Sequence, residues 1–272
     1  MPQTAANYKA LRFFIPTYIL TWCCWFAISF VQNQNVKEIL FVSGLISPCS
    51  IALLLIFLSK DSIMKKQFLN KLVNPRLIQP DSIPALILIP PLSIILAVLL
   101  SLPFGYSIHQ LTIANSFTFS IGAMPTFLVL LFAACFEELG WRGYGMESLM
   151  INYNYLYGTF IFSILWSIWH FPLFFVENSY HYNILHLNPL YALNFMVGVI
   201  PFAFIINWLW KKNNYSILVA VCFHFIANIT QELFMVEPVT KCIQTIVYLF
   251  FAICIVYRNR EIFFDEHRVT QS

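Results

Sequence analysis

Apolar positions occupy this chain in long unbroken runs separated by short polar stretches, not in the two-residue or 3.6-residue alternation of a domain with one wet face. The runs lie at roughly 13–31, 37–59, 83–103, 122–149, 158–176, 189–210, 215–236 and 242–257. Each approaches the ~20 residues that a helix needs to cross the hydrocarbon of a bilayer. The pattern predicts an all-α fold, a polytopic membrane bundle of about eight transmembrane helices in a single multi-pass domain over residues 1–272. The first run exceeds the apolar stretch of a cleaved signal peptide and no A-x-A site follows it, so it is expected to remain as an anchor.

Composition agrees: the chain is 60% hydrophobic, 18% aromatic and only 10% charged, where a water-soluble domain carries about 25% charge. Net charge is +3, and the basic residues form short clusters between apolar runs instead of a stripe along a phosphate backbone, so nucleic acid is not an expected partner. Lys9 and Arg12 precede the first run, Lys60, Lys65, Lys66, Lys71 and Arg76 lie in the 60–82 connection, Lys211 and Lys212 follow the sixth, and Arg258, Arg260 and Arg268 lie in the tail. With eight spans all of these share one face, which the positive-inside rule makes cytoplasmic, together with both termini. The protein is therefore expected in the cell membrane. Within 60–82, Ile63, Met64, Phe68, Leu69, Leu72 and Val73 recur at helical spacing among lysines and suit a short interfacial helix. A solvated connector is the alternative. The seven cysteines lack C-x-x-C ligand spacing and read as small core residues. The connections 104–121 and 177–188 show nothing that points to chemistry.

Ionisable residues inside a span are costly unless they face the bundle interior, which makes them the informative positions. They are Glu137, Glu138, Arg142 and Glu147 on the fourth run, His170 on the fifth, and His224 and Glu232 on the seventh. His109, His181, His186 and His267 fall in connections or the tail and are set aside. Glu138 and Arg142 stand one helical turn apart and can neutralise each other. Glu137 has Trp141 at i+4 and needs a partner from another helix. Glycines at 140, 143 and 145 let neighbouring backbones come close. Glu147 and Glu232 lie near span ends, where snorkelling to water would explain them. Measured from the presumed cytoplasmic ends, Glu137 lies roughly 16 Å deep, His170 roughly 18 Å and His224 roughly 14 Å, so the three can share a layer. Asn228 follows His224 by one turn and Trp166 precedes His170 by one turn. A carboxylate able to take a proton from water, with imidazole and carboxamide groups for an oxyanion, has the parts of a hydrolase. Ser163 and Ser167 share a helix with His170 and do not make a Ser–His pair of the hydrolase kind.

These residues resemble the motifs of the CPBP membrane proteases, which include the type II CAAX prenyl endopeptidases and the bacterial Abi-type and bacteriocin-immunity proteins. E-E-x-x-x-R is met by Glu137, Glu138 and Arg142 in the run EELGWRGY, F-x-x-x-H at His170 with Trp166 replacing the phenylalanine, and H-x-x-x-N by His224 and Asn228. The likeness covers about 122–236, between an N-terminal part (1–121) and a last span with its tail (237–272). It implies an intramembrane endopeptidase in which Glu137 activates water and His170, His224 and Asn228 complete the site, while Glu138 and Arg142 hold the fourth span. The implied reaction is cleavage near the C-terminus of a peptide or lipidated protein, from the cytoplasmic side. The site would work without a cofactor or with Zn²⁺ on His170 and His224; the helical zinc signature H-E-x-x-H is absent. Two other classes remain open: a non-catalytic immunity or scaffold protein, and a proton-coupled transporter, for which paired repeats are missing.

Overall fold

The computed structural model describes residues 8–114 and 124–264; His267, Arg268 and the last part of the 104–121 connection lie outside the described residues. Among those described, regular structure is helical apart from one isolated antiparallel bridge between Ile113 and Phe234. The first run is α1 (Ala10–Ile28). The second is divided into α2 (Gln34–Leu45) and α3 (Ser47–Leu58), bent by 50°. Pro48 enters the first turn of α3, where its missing N–H and fixed φ suit a helix start and not the continuation of α2. The lysine-rich connection forms α4 (Ser62–Val73), capped by Asp61, whose carboxylate accepts the backbone N–H groups of Ile63 and Met64. Met64 and Phe68 of α4 are buried while Ile63, Leu69 and Val73 are exposed, so this helix docks one face on the bundle. Then follow α5 (Ile83–Ser101), α6 (Thr126–Gly140), a π turn over Trp141–Gly145, α7 (Met146–Leu149), α8 (Tyr155–Trp169), α9 (Tyr180–Leu187), α10 (Pro189–Lys212), α11 (Ile217–Leu233), α12 (Pro238–Arg258) and α13 (Arg260–Phe263).

Among the described residues five helices are long and apolar enough to cross a membrane, namely α1, α10, α12 and the stretches Pro80–Phe104 and Tyr155–Phe175, and the bent α2–α3 pair makes a sixth. The two remaining expected spans are shorter. α6 has 15 residues before its π turn and α11 has 17. They also carry most of the ionisable side chains, so their burial depends on neighbouring helices more than on their own length.

Basic residues gather at one end of the bundle. There the Lys9 backbone N–H donates to the Tyr144 hydroxyl at 3.0 Å, Lys71 pairs with Glu147, Lys212 with Asp81 at 2.9 Å, and the Lys211 ammonium donates to the Ile262 carbonyl at 2.7 Å. Both described chain ends, α4, α7 and α13 therefore share that end. Residues 171–175, α9 and the starts of α10 and α12 build the other. Glu147 is a correction to the expected snorkelling: it is buried, and Lys71 of α4 comes inward to meet it.

Close backbone approach fixes the fourth run. A Cβ placed on Gly140 would stand 2.4 Å from the Pro48 carbonyl carbon, and one on Gly143 2.6 Å from the Phe68 ring. Gly140→Ala is expected to lower stability by about 1–3 kcal/mol, the range for overpacking a filled core. A clear fall in the melting temperature of the detergent-solubilised protein would register it. Gly158→Ala is the matched control, because its added methyl would find its nearest neighbour at 3.5 Å, an ordinary contact.

Candidate active site

Adjacent positions on a helix point about 100° apart, and α6 uses this to send two neighbouring carboxylates to different tasks. Glu138, fully buried, turns toward Arg142: the Nη1 atom donates to Oε1 at 2.9 Å and lies 2.8 Å from Oε2. The Arg142 guanidinium also donates from Nε to the Asn207 side chain of α10 at 3.1 Å and lies 4.7 Å and 4.5 Å from the ring centroids of Phe162 and Trp166. Glu138 reaches a second helix as well, for its Oε1 stands 2.8 Å from Nδ1 of His224 on α11. The sequence reading paired Glu138 with Arg142 alone. The imidazole could not be foreseen as its partner, because the two are 86 positions apart.

Glu137 faces the other way. Its Oε2 accepts the indole N–H of Trp166 at 2.9 Å, and no protein hydrogen bond to Oε1 is present among the described residues. Phenylalanine, the motif residue at this position, has no N–H to give, so Trp166 contributes more than the flat apolar surface expected of it. The Trp166 ring also packs on both imidazoles, at 6.2 Å from His170 and 5.5 Å from His224 between centroids. Glu137, His170, His224 and Asn228 all line one cavity with Trp166. The structure therefore brings the four candidate residues of three helices around a single hollow.

Ring partners set the tautomers. Nδ1 of His170 lies 2.8 Å from the Trp166 carbonyl, which only accepts, so Nδ1 carries the hydrogen and Nε2 presents a lone pair when the ring is neutral. Nδ1 of His224 likewise donates to Glu138. An acceptor behind each ring is the arrangement that metal-bound imidazoles adopt. Among the described residues no three His, Cys, Asp or Glu side chains are grouped to hold a metal.

One connection matters more than the sequence suggested. The 177–188 segment contains α9, capped by the Ser179 hydroxyl, and its His181 lies over His170 with centroids 5.9 Å apart and planes 23° apart. His181 lines the same cavity, and its Nε2 is buried with no hydrogen-bond partner among the described residues. Burial, reinforced by the neighbouring His170, holds this imidazole well below its ordinary range, hence neutral. Glu232, expected to reach water from a span end, also lines the cavity.

The cavity has a direction. Along α11 its lining passes from His224 through Ala227 and Asn228 to Gln231 and Glu232, and along α10 from Phe202 back through Gly198 and Asn194 to Tyr191. Both sequences of residues lead away from Lys211, Lys212 and the other clustered cations. Its mouth and the basic loops occupy opposite ends of the bundle, so cytoplasmic basic loops and cytoplasmic access to the site, both expected from the sequence, exclude one another in this fold.

A helical membrane protein with an acid, two imidazoles and a carboxamide around one internal cavity has the parts of an intramembrane hydrolase. The family profile described as type II CAAX prenyl endopeptidase Rce1-like matches residues 118–230. The chain is 40% identical over 264 residues to CAAX prenyl protease 2 of Methanococcus maripaludis, an alignment that covers 96% of this chain and 97% of that one. The chain belongs to the type II CAAX prenyl endopeptidase family, and it is an intramembrane endopeptidase.

Proposed function

We propose that Glu137 is the general base that activates a water for cleavage of a peptide bond near the C-terminus of a peptide or lipidated protein. One observation carries this reading: the Glu137 carboxylate is held by Trp166 through one oxygen in a cavity that His170, His224 and Asn228 also line. Glu137 takes one proton of the water while the lone pair on Nε2 of His170 accepts the other O–H and aims the oxygen at the carbonyl. The Asn228 amide, joined by His224 when its Nε2 is protonated, donates to the oxyanion. The proton held by Glu137 then passes to the departing amine, which balances the hydrolysis. No metal takes part in this scheme. The cavity wall is rich in aromatic and aliphatic groups, among them Trp25, Phe41, Leu45, Leu130 and Phe195, which suits a substrate bearing an isoprenoid or a strongly apolar tail. The name of the archaeal relative, a prenyl protease, supports the same substrate class.

The test is cleavage of internally quenched peptides, with and without a farnesyl group, by the purified protein in lipid vesicles. Cleavage that survives a strong chelator is expected. Loss of activity on chelation, restored by Zn²⁺, would move the reaction to a metal mechanism.

For orientation in the cell membrane we take the charge bias as decisive. Loops at the basic end face the cytoplasm, and the mouth then faces the opposite compartment. A fusion at the C-terminus reports this directly: green fluorescent protein is expected to fluoresce there and alkaline phosphatase to stay inactive. Active phosphatase would restore cytoplasmic access and make this chain an exception to the charge rule.

A further inference from the structure

We propose that His181 binds the substrate main chain, its Nε2 forming a hydrogen bond with a peptide unit that lies within two units of the scissile bond. The proposal rests on the peptidase reading above and adds the side chain that holds the backbone beside the attacked carbonyl. α9 is short, and its ends fix its place. The Ser179 hydroxyl accepts the Tyr182 N–H at 3.0 Å and donates to the Leu173 carbonyl at 2.8 Å, while the Asn188 side chain accepts the Leu190 N–H at 2.9 Å where α10 begins. His181 follows the Ser179 cap by two positions. Its ring packs against Phe195 at 4.4 Å, Phe174 at 5.5 Å and Tyr180 at 5.6 Å between centroids. Phe195 also lies 5.3 Å from the ring of His170, so the two imidazoles share one aromatic wall.

A buried polar atom without a partner costs free energy, and the Nε2 atom of His181 is buried with none among the described residues. The three rings around it supply no hydrogen bond, so the partner arrives through the cavity that His181 lines. Burial keeps the imidazole neutral, which suits an uncharged group. A peptide unit offers both an N–H and a carbonyl and therefore pairs with either tautomer. Distance fixes which unit it is. His170 aims the attacking water, and the His181 ring centroid stands 5.9 Å from that of His170. Two steps of an extended chain cover about 7 Å. A contact with the backbone is common to every sequence, so His181 steadies the cut segment whatever side chains it carries.

The experiment replaces one amide at a time by an ester in quenched peptides, at each unit within two of the scissile bond on either side. An ester has no N–H and a weaker carbonyl acceptor. Wild type is expected to lose about 10-fold in kcat/KM at one of these positions, the scale of leaving one buried polar group unpaired. His181→Phe is expected to cleave the all-amide peptide about 10-fold less well and to lose nothing more with that ester, the coupling that a direct contact requires. His181→Gln, which sets an amide near the place of Nε2, is expected to restore most of the preference, and His181→Leu repeats the comparison if phenylalanine crowds the pocket. Wild type indifferent to every ester, as when a water alone satisfies Nε2, overturns the proposal. So does an ester effect of full size in both His181→Phe and His181→Leu. Binding of the same labelled peptides to Glu137→Gln repeats the comparison without turnover. Amide-selective binding that added His181→Phe removes, in a protein whose wild type cleaves nothing, would uphold His181 and refute the peptidase reading alone; unselective binding refutes His181.

Discussion

Glu137→Gln is expected to reduce peptide cleavage by about 10²–10⁴-fold, the contribution of a positioned general base, with little change in melting temperature. Glutamine keeps the volume of glutamate, and its side-chain oxygen still accepts the Trp166 N–H now donated to Oε2 at 2.9 Å. Only the ability to take a proton is lost. Glu137 is also not the residue that holds Arg142, so the substitution leaves the buried ion pair in place. Trp166→Phe separates positioning from basicity. It keeps a ring between the two imidazoles and removes the N–H, and a loss smaller than that of Glu137→Gln is expected. Retention of more than a tenth of wild-type cleavage by Glu137→Gln, measured with active protein concentration fixed, would remove Glu137 from the role of base.

Glu138→Gln is the substitution with the largest expected effect on folding. It leaves the Arg142 guanidinium, which has no exposed surface, without its counter-charge. Removing one partner of a buried pair costs about 3–5 kcal/mol. In a chain of this length that corresponds to a fall in melting temperature on the order of 10 °C. Activity should fall too, because the same carboxylate orients His224 through a 2.8 Å contact. Arg142→Met combined with Glu138→Gln tests the cause: if the uncompensated charge is what destabilises, the double variant melts above the level obtained by adding the two single losses. Strict additivity would show that the pair is not coupled.

Much of this arrangement was legible in the sequence because hydrocarbon punishes stray charge. Glu137, His170 and His224 stand out as ionisable groups in apolar runs, and helical rise alone places them at one depth. The glycines of the fourth run were readable for the same reason, as places where two backbones meet. Other features depended on contacts between distant segments. The indole N–H of Trp166 looked like spare aromatic surface, since nothing local says which residue it will face. Lys71 and Glu147 each looked destined for water until α4 folded back to bring them together. His181 was set aside because its segment lacks length and periodicity, yet α9 lays it over His170. Hydropathy locates a span but is blind to which end of a bundle is hollow, so the position of the mouth had to come from the packing of α10, α11 and α12.

The π turn at Trp141–Gly145 gives the fourth helix one residue more than an α-helix would need over the same rise. Gly140 is seated against Pro48 on one side of it, and Glu147 is tied to Lys71 on the other. Ordinary α winding of the same residues would advance the helix by one further position and rotate one mooring by about 100° relative to the other. The proton-accepting edge and the lysine-bearing collar could not then both be seated, so the widened coil acts as the phase setting of the whole helix.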